Sequence, residues 1–247
     1  MAKQLKPVML PSVLVEQMKN TFKLLGWSVL MCCRNQVNMI KVAKDQIEPV
    51  AKLLTECFIG DPLVIIQTKG IPNEKEFLEK MFLLQLNVLE KTTDVFSLDD
   101  KFKSVLIGYE KKKFIILLKQ FILTIQLYVK IRRLVEKKII KTYGNNLRDV
   151  SKVIDLKWQN QFIKKNYYRI NIIAIAQEER GRGVFRELIM PIIDQCNQRN
   201  IPIILETIDP RHIAIYNHFG FDLVKTKSNS DIGLSQYCFI RYPNPQI

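Results

Sequence analysis

Nine consecutive residues, Gln177-Glu178-Glu179-Arg180-Gly181-Arg182-Gly183-Val184-Phe185, lead from the end of an apolar run into an amphipathic one. Glycines at a strand-to-helix turn let the backbone come close to a ligand. The unbonded N–H groups of the new helix, aided by its dipole, attract phosphate. Arg180 and Arg182 add positive charge. The same composition also suits a solvated basic corner, so the placement between strand and helix carries more weight than the glycines. The spacing is neither that of a Walker loop, which requires Gly-Lys-Ser/Thr, nor that of the dinucleotide fingerprint.

The elements that must position this turn are legible on both sides of it. Downstream of residue 168 the chain alternates: strand RINIIAIA, helix over 183–199, strand PIILETI, helix over 211–218, then strands FDLVKTK and SQYCFIR. Such alternation predicts an α/β layer with parallel strands joined by helices. Upstream, MIKVA reads as a strand. Asp45 is placed to N-cap a helix through Leu54, IGDPLV reads as a turn, and EKEFLEKMFLLQLNVLEK after Asn73 has helical spacing. DVFSLDD and SVLIGYE read as strands, followed by helices over about 113–141 and 147–162. Residues 10–33 suit a short amphipathic helix and then something more buried, and the sequence makes a fresh start at Met39, a candidate translation start. The expected organisation is an N-terminal helical extension over 1–38 and a main domain over 39–247.

IIAIAQEERGRGVFRELIMPIIDQC resembles the acetyl-CoA motif of the GNAT superfamily of N-acetyltransferases, Q/R-x-x-G-x-G/A at a strand-to-helix turn. Arg180 fills its first position and Gly183 its fourth, while Phe185 stands where Gly or Ala is usual. LETIDPRHIAIYNHFGFDLV resembles the second signature of that superfamily, matched by Tyr216, Gly220 and Phe221; the asparagines usual before the tyrosine are replaced. MIKVAKDQIEPVAKLLTECFIGDPL is similar to the opening strand and helix, particularly in the branch that includes puromycin N-acetyltransferase. The resemblance spans residues 39–242 and is strongest over 168–224. It implies a GNAT fold with a central mixed twisted sheet flanked by helices.

The resemblance also implies roles. Acetyl-CoA would lie against Ile173, Ala174, Ile175 and Ala176, with main-chain groups of Ile175 holding the pantetheine amides and an N–H near Ile175 facing the oxyanion. The turn amides of Arg180, Gly181, Arg182, Gly183, Val184 and Phe185 would take the pyrophosphate. Tyr216 would give a proton to the departing thiolate; its alternative is an ordinary core tyrosine. Glu206, on PIILETI, is the candidate general base acting through a water, with a structural ion pair as the alternative. His212 and His218 read as surface or capping residues. Phe58 and Asp61, after the first helix, are the candidates to touch the acceptor. Trp158, Tyr167 and Tyr168 are aromatics that suit an amine through cation–π contacts or pack in the core.

Composition narrows the classes. The 247 residues are 47% hydrophobic and 25% charged, as in a globular protein. The five cysteines, Cys32, Cys33, Cys57, Cys196 and Cys238, match no disulfide framework or zinc site. With no secretion signal in the N-terminal residues, the expectation is a cytoplasmic enzyme that uses no metal. The most apolar stretch, over 114–129, is broken by Lys119 and is shorter than the roughly 20 residues of a spanning helix. A net charge of +14 favours anionic partners. The leading expectation is transfer of an acetyl group from acetyl-CoA to a primary amine, of a small molecule or a protein, in a ternary complex, with a homodimer as one open assembly. The alternative is a catalytically degenerate binding module of the same fold, using its basic surface for nucleic acid or anionic membrane.

Overall fold

Apolar runs such as RINIIAIA can be buried on both faces only when helices cover both sides of a sheet. The computed structural model, which describes residues 39–89, 93–111 and 135–244, has that arrangement. The extension over 1–38 and most of the helix expected over 113–141 lie outside the described residues. In chain order the elements are β1 (Ile40–Lys41), α1 (Ile47–Phe58), α2 (Pro62–Thr68), α3 (Glu74–Leu89), β2 (Asp94–Ser97), β3 (Ser104–Glu110) and α4 (Lys137–Val153). There follow β4 (Tyr168–Ile175), α5 (Val184–Gln198), β5 (Ile203–Thr207), α6 (His212–His218), β6 (Asp222–Asn229) and β7 (Leu234–Arg241).

The described strands form one seven-stranded sheet in the order β1-β2-β3-β4-β5-β7-β6. Only β4 and β5 pair in parallel; β7 inserts between β5 and β6 and is antiparallel to both. The expected run of parallel strands therefore stops at β5. The connection between β6 and β7 has no room for a crossover helix, and a short connection makes antiparallel neighbours.

On one face Ile47, Val50, Ala51 and Leu54 of α1, with Leu86 of α3, cover Val95, Val105, Ile107 and Ala174. On the other, Leu188, Ile189, Ile192, Ile193 and Cys196 of α5 cover Leu106, Tyr168, Ile170, Ile203 and Leu205. The spacing of the α1 set, i, i+3, i+4 and i+7, is that of one helical face.

Three local expectations are corrected. Asp45 does not cap α1; residues Lys44–Gln46 form a 3-10 turn in which the Gln46 side chain accepts from the Ala43 N–H at 3.0 Å. IGDPLV is not a simple turn, because the Asp61 carboxylate accepts from the N–H groups of Leu63 (2.8 Å) and Val64 (3.4 Å) and starts α2, with Pro62 at its first position. The helix expected over 147–162 is the end of α4, which stops at Val153. There the Asp155 N–H donates to the Gln236 side chain of β7 (2.8 Å), and Trp158–Gln161 form a separate 3-10 turn with Trp158 fully buried.

The irregularity that matters most lies in β4. Its register with β3 runs Ile107↔Ile172 and then Gly108↔Ile170, so Asn171 is an extra residue with no partner, a β-bulge. One extra residue inverts the alternation. Tyr168 and Ile170 share the face of α5, yet beyond the bulge it is Ile173 and Ile175 that pack there, while Ile172 and Ala174 face α1.

Gly108 sits opposite the bulge, where a Cβ would fall 2.6 Å from the Tyr168 ring and 2.8 Å from the Arg169 carbonyl oxygen. Gly108→Ala is expected to lower stability by about 1–3 kcal/mol, the usual consequence of overpacking. Urea denaturation reads this directly, and an unchanged midpoint would mean that the Tyr168 ring has room to move aside.

Candidate active site

β4 and β5 pair only at Tyr168↔Ile203 and Arg169↔Ile204. Beyond Arg169 they diverge, although β4 stays paired with β3 as far as Ile175. The Ala176 N–H donates to the Lys103 carbonyl (2.8 Å), which makes Ile175 and Ser104 a non-hydrogen-bonded pair of the antiparallel ladder. By alternation, the main-chain N–H and C=O groups of Ile175 and Ile173 turn away from β3, into the gap left by β5. A cleft of about 1560 Å³ opens there.

One wall of the cleft is the turn that opens α5. Gly181 (φ 76°) and Gly183 (φ 85°) take left-handed conformations that admit glycine at little cost. The first helical bond of α5 runs from the Glu187 N–H to the Gly183 carbonyl (3.2 Å), so the amides of Val184, Phe185 and Arg186 have no intrahelical acceptor. This end fits a pyrophosphate. Phe185, in place of the usual small residue, does not fill it. Its ring turns onto α6, 6.0 Å from that of Tyr216 and 5.2 Å from that of Phe219.

The basic residues of the turn are less free than the sequence suggests. Arg180 folds back so that its Nε donates to the Ile175 carbonyl (3.0 Å), beside the Cys57 thiol, which also points at that oxygen (3.5 Å). That carbonyl is thus already engaged, leaving the Ile175 N–H and the Ile173 groups as the free main-chain partners. Arg182 is exposed, pairs with Glu179 at 3.6 Å and is the one residue of the turn from Arg180 to Phe185 that does not line the cleft. Burial pushes the Cys57 thiol above its usual range, against the opposing effect of Arg180.

Tyr216 lies on the α6 wall, its ring packed against Phe239 (5.3 Å), Phe221 (6.1 Å) and His212 (6.0 Å). Among the described residues its hydroxyl has no hydrogen-bond partner. Burial, with a smaller contribution from Asp209, pushes its pKa up to about 12, so the phenol keeps its proton at neutral pH.

Phe58 and Asp61 line the end of the cleft formed by the connection between α1 and α2, with Cys57. Across from them lie Asp209 and His212 at the start of α6. Burial raises the Asp61 pKa, opposed by the Leu63 and Val64 amides. Asp209 is held at about 2 by hydrogen bonds from Arg211. His212 lines the cleft with its side chain 45% exposed, whereas His218 sits outside it beside Arg186 (3.2 Å). The i, i+4 spacing of His212 and Tyr216 was the sequence signal that places both on one face.

Two expected site residues are elsewhere. Glu206 does not line the cleft: it ion-pairs with Arg169 and accepts from the Trp158 indole N–H (3.1 Å). Alternation along β5 points Ile204 and Glu206 toward Trp158, on the face opposite Ile203, Leu205 and α5. Tyr168 is core rather than acceptor-facing; it lies below the fork, 3% exposed, against Leu188 and its neighbours. Among the described residues no group of three or more His, Cys, Asp or Glu side chains is arranged to hold a metal, and no helix is long and apolar enough to cross a membrane.

No protein-family model matches the chain. Over 78 residues it is 33% identical to an uncharacterized N-acetyltransferase of Schizosaccharomyces pombe, covering 30% of this chain and 31% of that protein, so the match spans about a third of the relative's length. Its fold is similar to that of a structure described as histone acetyltransferase HPA2 and related acetyltransferase from Corynebacterium glutamicum (TM-score 0.56, 15% identity, 85% of this chain and 98% of that one). It is similar also to that of an N-acetyltransferase from Staphylococcus aureus (TM-score 0.55, 16% identity, 82% and 99%).

Removing one partner of a buried ion pair leaves the other charge uncompensated, so Glu206→Ala is expected to destabilise the protein by about 3 kcal/mol. Chemical denaturation measures it; a loss of activity at unchanged stability would return Glu206 to the list of bases. For Tyr216 the folded-state pKa lies above the ordinary phenol value. Its contribution to stability is therefore complete below pH ~10 and lost as pH rises through about 12. Ultraviolet difference titration of wild type against Tyr216→Phe should assign one phenol to that upper range.

Proposed function

We propose that this chain, whose fold is that of the GNAT N-acetyltransferases, transfers an acetyl group from acetyl-CoA to a primary amine of a small molecule or a protein. The observation that carries the reading is the fork between β4 and β5. It turns the main-chain groups of Ile173 and the N–H of Ile175 into a cleft that begins at a glycine turn and passes a protonated tyrosine. Acetyl-CoA, when bound, supplies the thioester whose acyl carbon the amine attacks.

The residues divide along the cleft. Amides of Val184 and Phe185, at the positive end of α5, receive the pyrophosphate. The Ile173 groups would hold the pantetheine amides, and the Ile175 N–H would be a fixed donor for the negative charge that develops on the acyl oxygen. Tyr216 hands its phenolic proton to the departing sulfur and regains one from the acetylated nitrogen. Phe58 and Asp61 receive the acceptor, with the amine between them and the α6 wall. The branch resembling puromycin N-acetyltransferase and the cytoplasmic setting belong to the same proposal.

A ligand that binds only the folded state raises its stability, by about 2.7 kcal/mol at a hundredfold excess over Kd. Acetyl-CoA is accordingly expected to raise the Tm. No shift would overturn the transferase reading and leave the basic surface as the functional feature. With thiol release assayed across a panel of primary amines, Tyr216→Phe should lower kcat roughly 10²-fold, within the range for a lost proton donor, while the acetyl-CoA-induced Tm shift persists. Unchanged turnover would remove Tyr216 from the mechanism.

A further inference from the structure

An alkylamine reaches the protein protonated, and its lone pair is unavailable until a base takes that proton. With Glu206 committed to Arg169 and Trp158 on the other face of the sheet, the base must come from the cleft. Glu178 and Glu179 are tied to Lys103 at the turn (3.2 and 3.5 Å). Asp209 is bound by the Arg211 guanidinium at 2.6 Å and holds a proton only near pH 2. Asp61 uses one carboxylate oxygen on the two amides that start α2.

Among the described residues Glu56 also lines the cleft, but it is exposed and no hydrogen bond or ion pair fixes it. Asp61 is committed as the cap of α2; His212, by contrast, is held in place within the cleft. Its Nδ1 lies 3.0 Å from the Thr207 hydroxyl, which itself accepts from the Asp209 N–H at 3.1 Å. Its ring packs edge-on against Tyr216. With Nδ1 occupied, Nε2 is the available nitrogen; it stands 3.8 Å from Oδ2 of Asp209, too far for a hydrogen bond. The charged and titratable groups that face the ring are Asp61 from the connection between α1 and α2, Asp209 with its bound Arg211, and Tyr216 on α6.

We propose that His212 is the base of the acceptor side, taking one proton from the ammonium group of a primary alkylamine at Nε2, with Thr207 and Asp209 as positioning residues. The inference rests on the transferase reading. In the step an N–H bond of the ammonium breaks, its electron pair stays on the amine nitrogen, and the proton passes to the imidazole and then to solvent. The acceptor class follows: an alkylamine that is cationic in solution, drawn to the carboxylate of Asp61.

The chain contains only two histidines, so the proposal can be tested directly. Ethylamine serves as the cationic probe and hydroxylamine as a probe that is already neutral at pH 7. His212→Asn is expected to slow transfer to ethylamine roughly 10²-fold at neutral pH, a typical loss for a general base, with recovery as pH rises. Transfer to hydroxylamine should change less than about twofold, since that amine needs no base. His218→Asn should alter neither. Asp209→Asn should slow transfer to ethylamine more than transfer to hydroxylamine at neutral pH.

An ethylamine pH profile unchanged in His212→Asn, or equal losses with both amines, would overturn the proposal. If His212→Asn keeps the acetyl-CoA-induced Tm shift while those results appear, only the base assignment fails. Absence of the shift in the wild type defeats the transferase reading and this inference with it.

Discussion

β4 keeps one neighbour along its whole length and gives up the other after two residues. The bulge at Asn171 is the physical cause: an added residue kinks the strand and increases its twist at the point where pairing with β5 ends. Backbone groups that would have closed a ladder are left pointing into open space, and unpaired N–H and C=O groups at a sheet edge are what an extended, amide-bearing ligand can bond. The position of α5, the glycine turn and the α6 wall all follow from where β4 and β5 part.

The fork is secured just below its opening. Arg169 is the last residue of β4 to pair with β5, and its ion pair with Glu206 crosses between the two strands on the face away from α5, where Trp158 completes it. A charged pair of this kind adds little net stability but is costly to break, so it fixes the geometry of the crossing more than it strengthens the fold. On the other face Tyr168 and Gly108 meet so closely that no larger residue fits opposite the bulge. Both faces thus hold the strands at the same level.

The two ends of the cleft differ in chemistry. Near α5 the cleft-facing groups are main-chain amides at a helix N-terminus, with the acidic residues of the turn neutralised by Lys103 and Arg182. Near α6 and the connection between α1 and α2 they are side chains, Asp61, Asp209, His212 and Tyr216, half-buried and close enough to perturb one another. Asp61 serves there both as the cap of α2 and as a wall of the cleft. A carboxylate with a structural duty is held in one orientation, which suits recognition better than it suits proton transfer.

By itself the sequence determined the order of helices and strands from β4 onward and the glycine turn before α5, while the mixed sheet and the pairing of that turn with Tyr216 were legible only through the resemblance to a known superfamily. Those signals are local: period-2 and period-3.6 apolar patterns, and glycines where a helix must begin. It misplaced Glu206 and Tyr168, because each depends on which side of a strand meets which neighbour. RINIIAIA is apolar on both faces, so its pattern cannot reveal the extra residue at Asn171 that inverts the alternation. Nor can PIILETI show that Trp158, nearly fifty residues earlier, occupies the side to which Glu206 points. Only the tertiary structure decided these, since the direction of a side chain in a sheet is set by register, and register by contacts between strands distant in the chain.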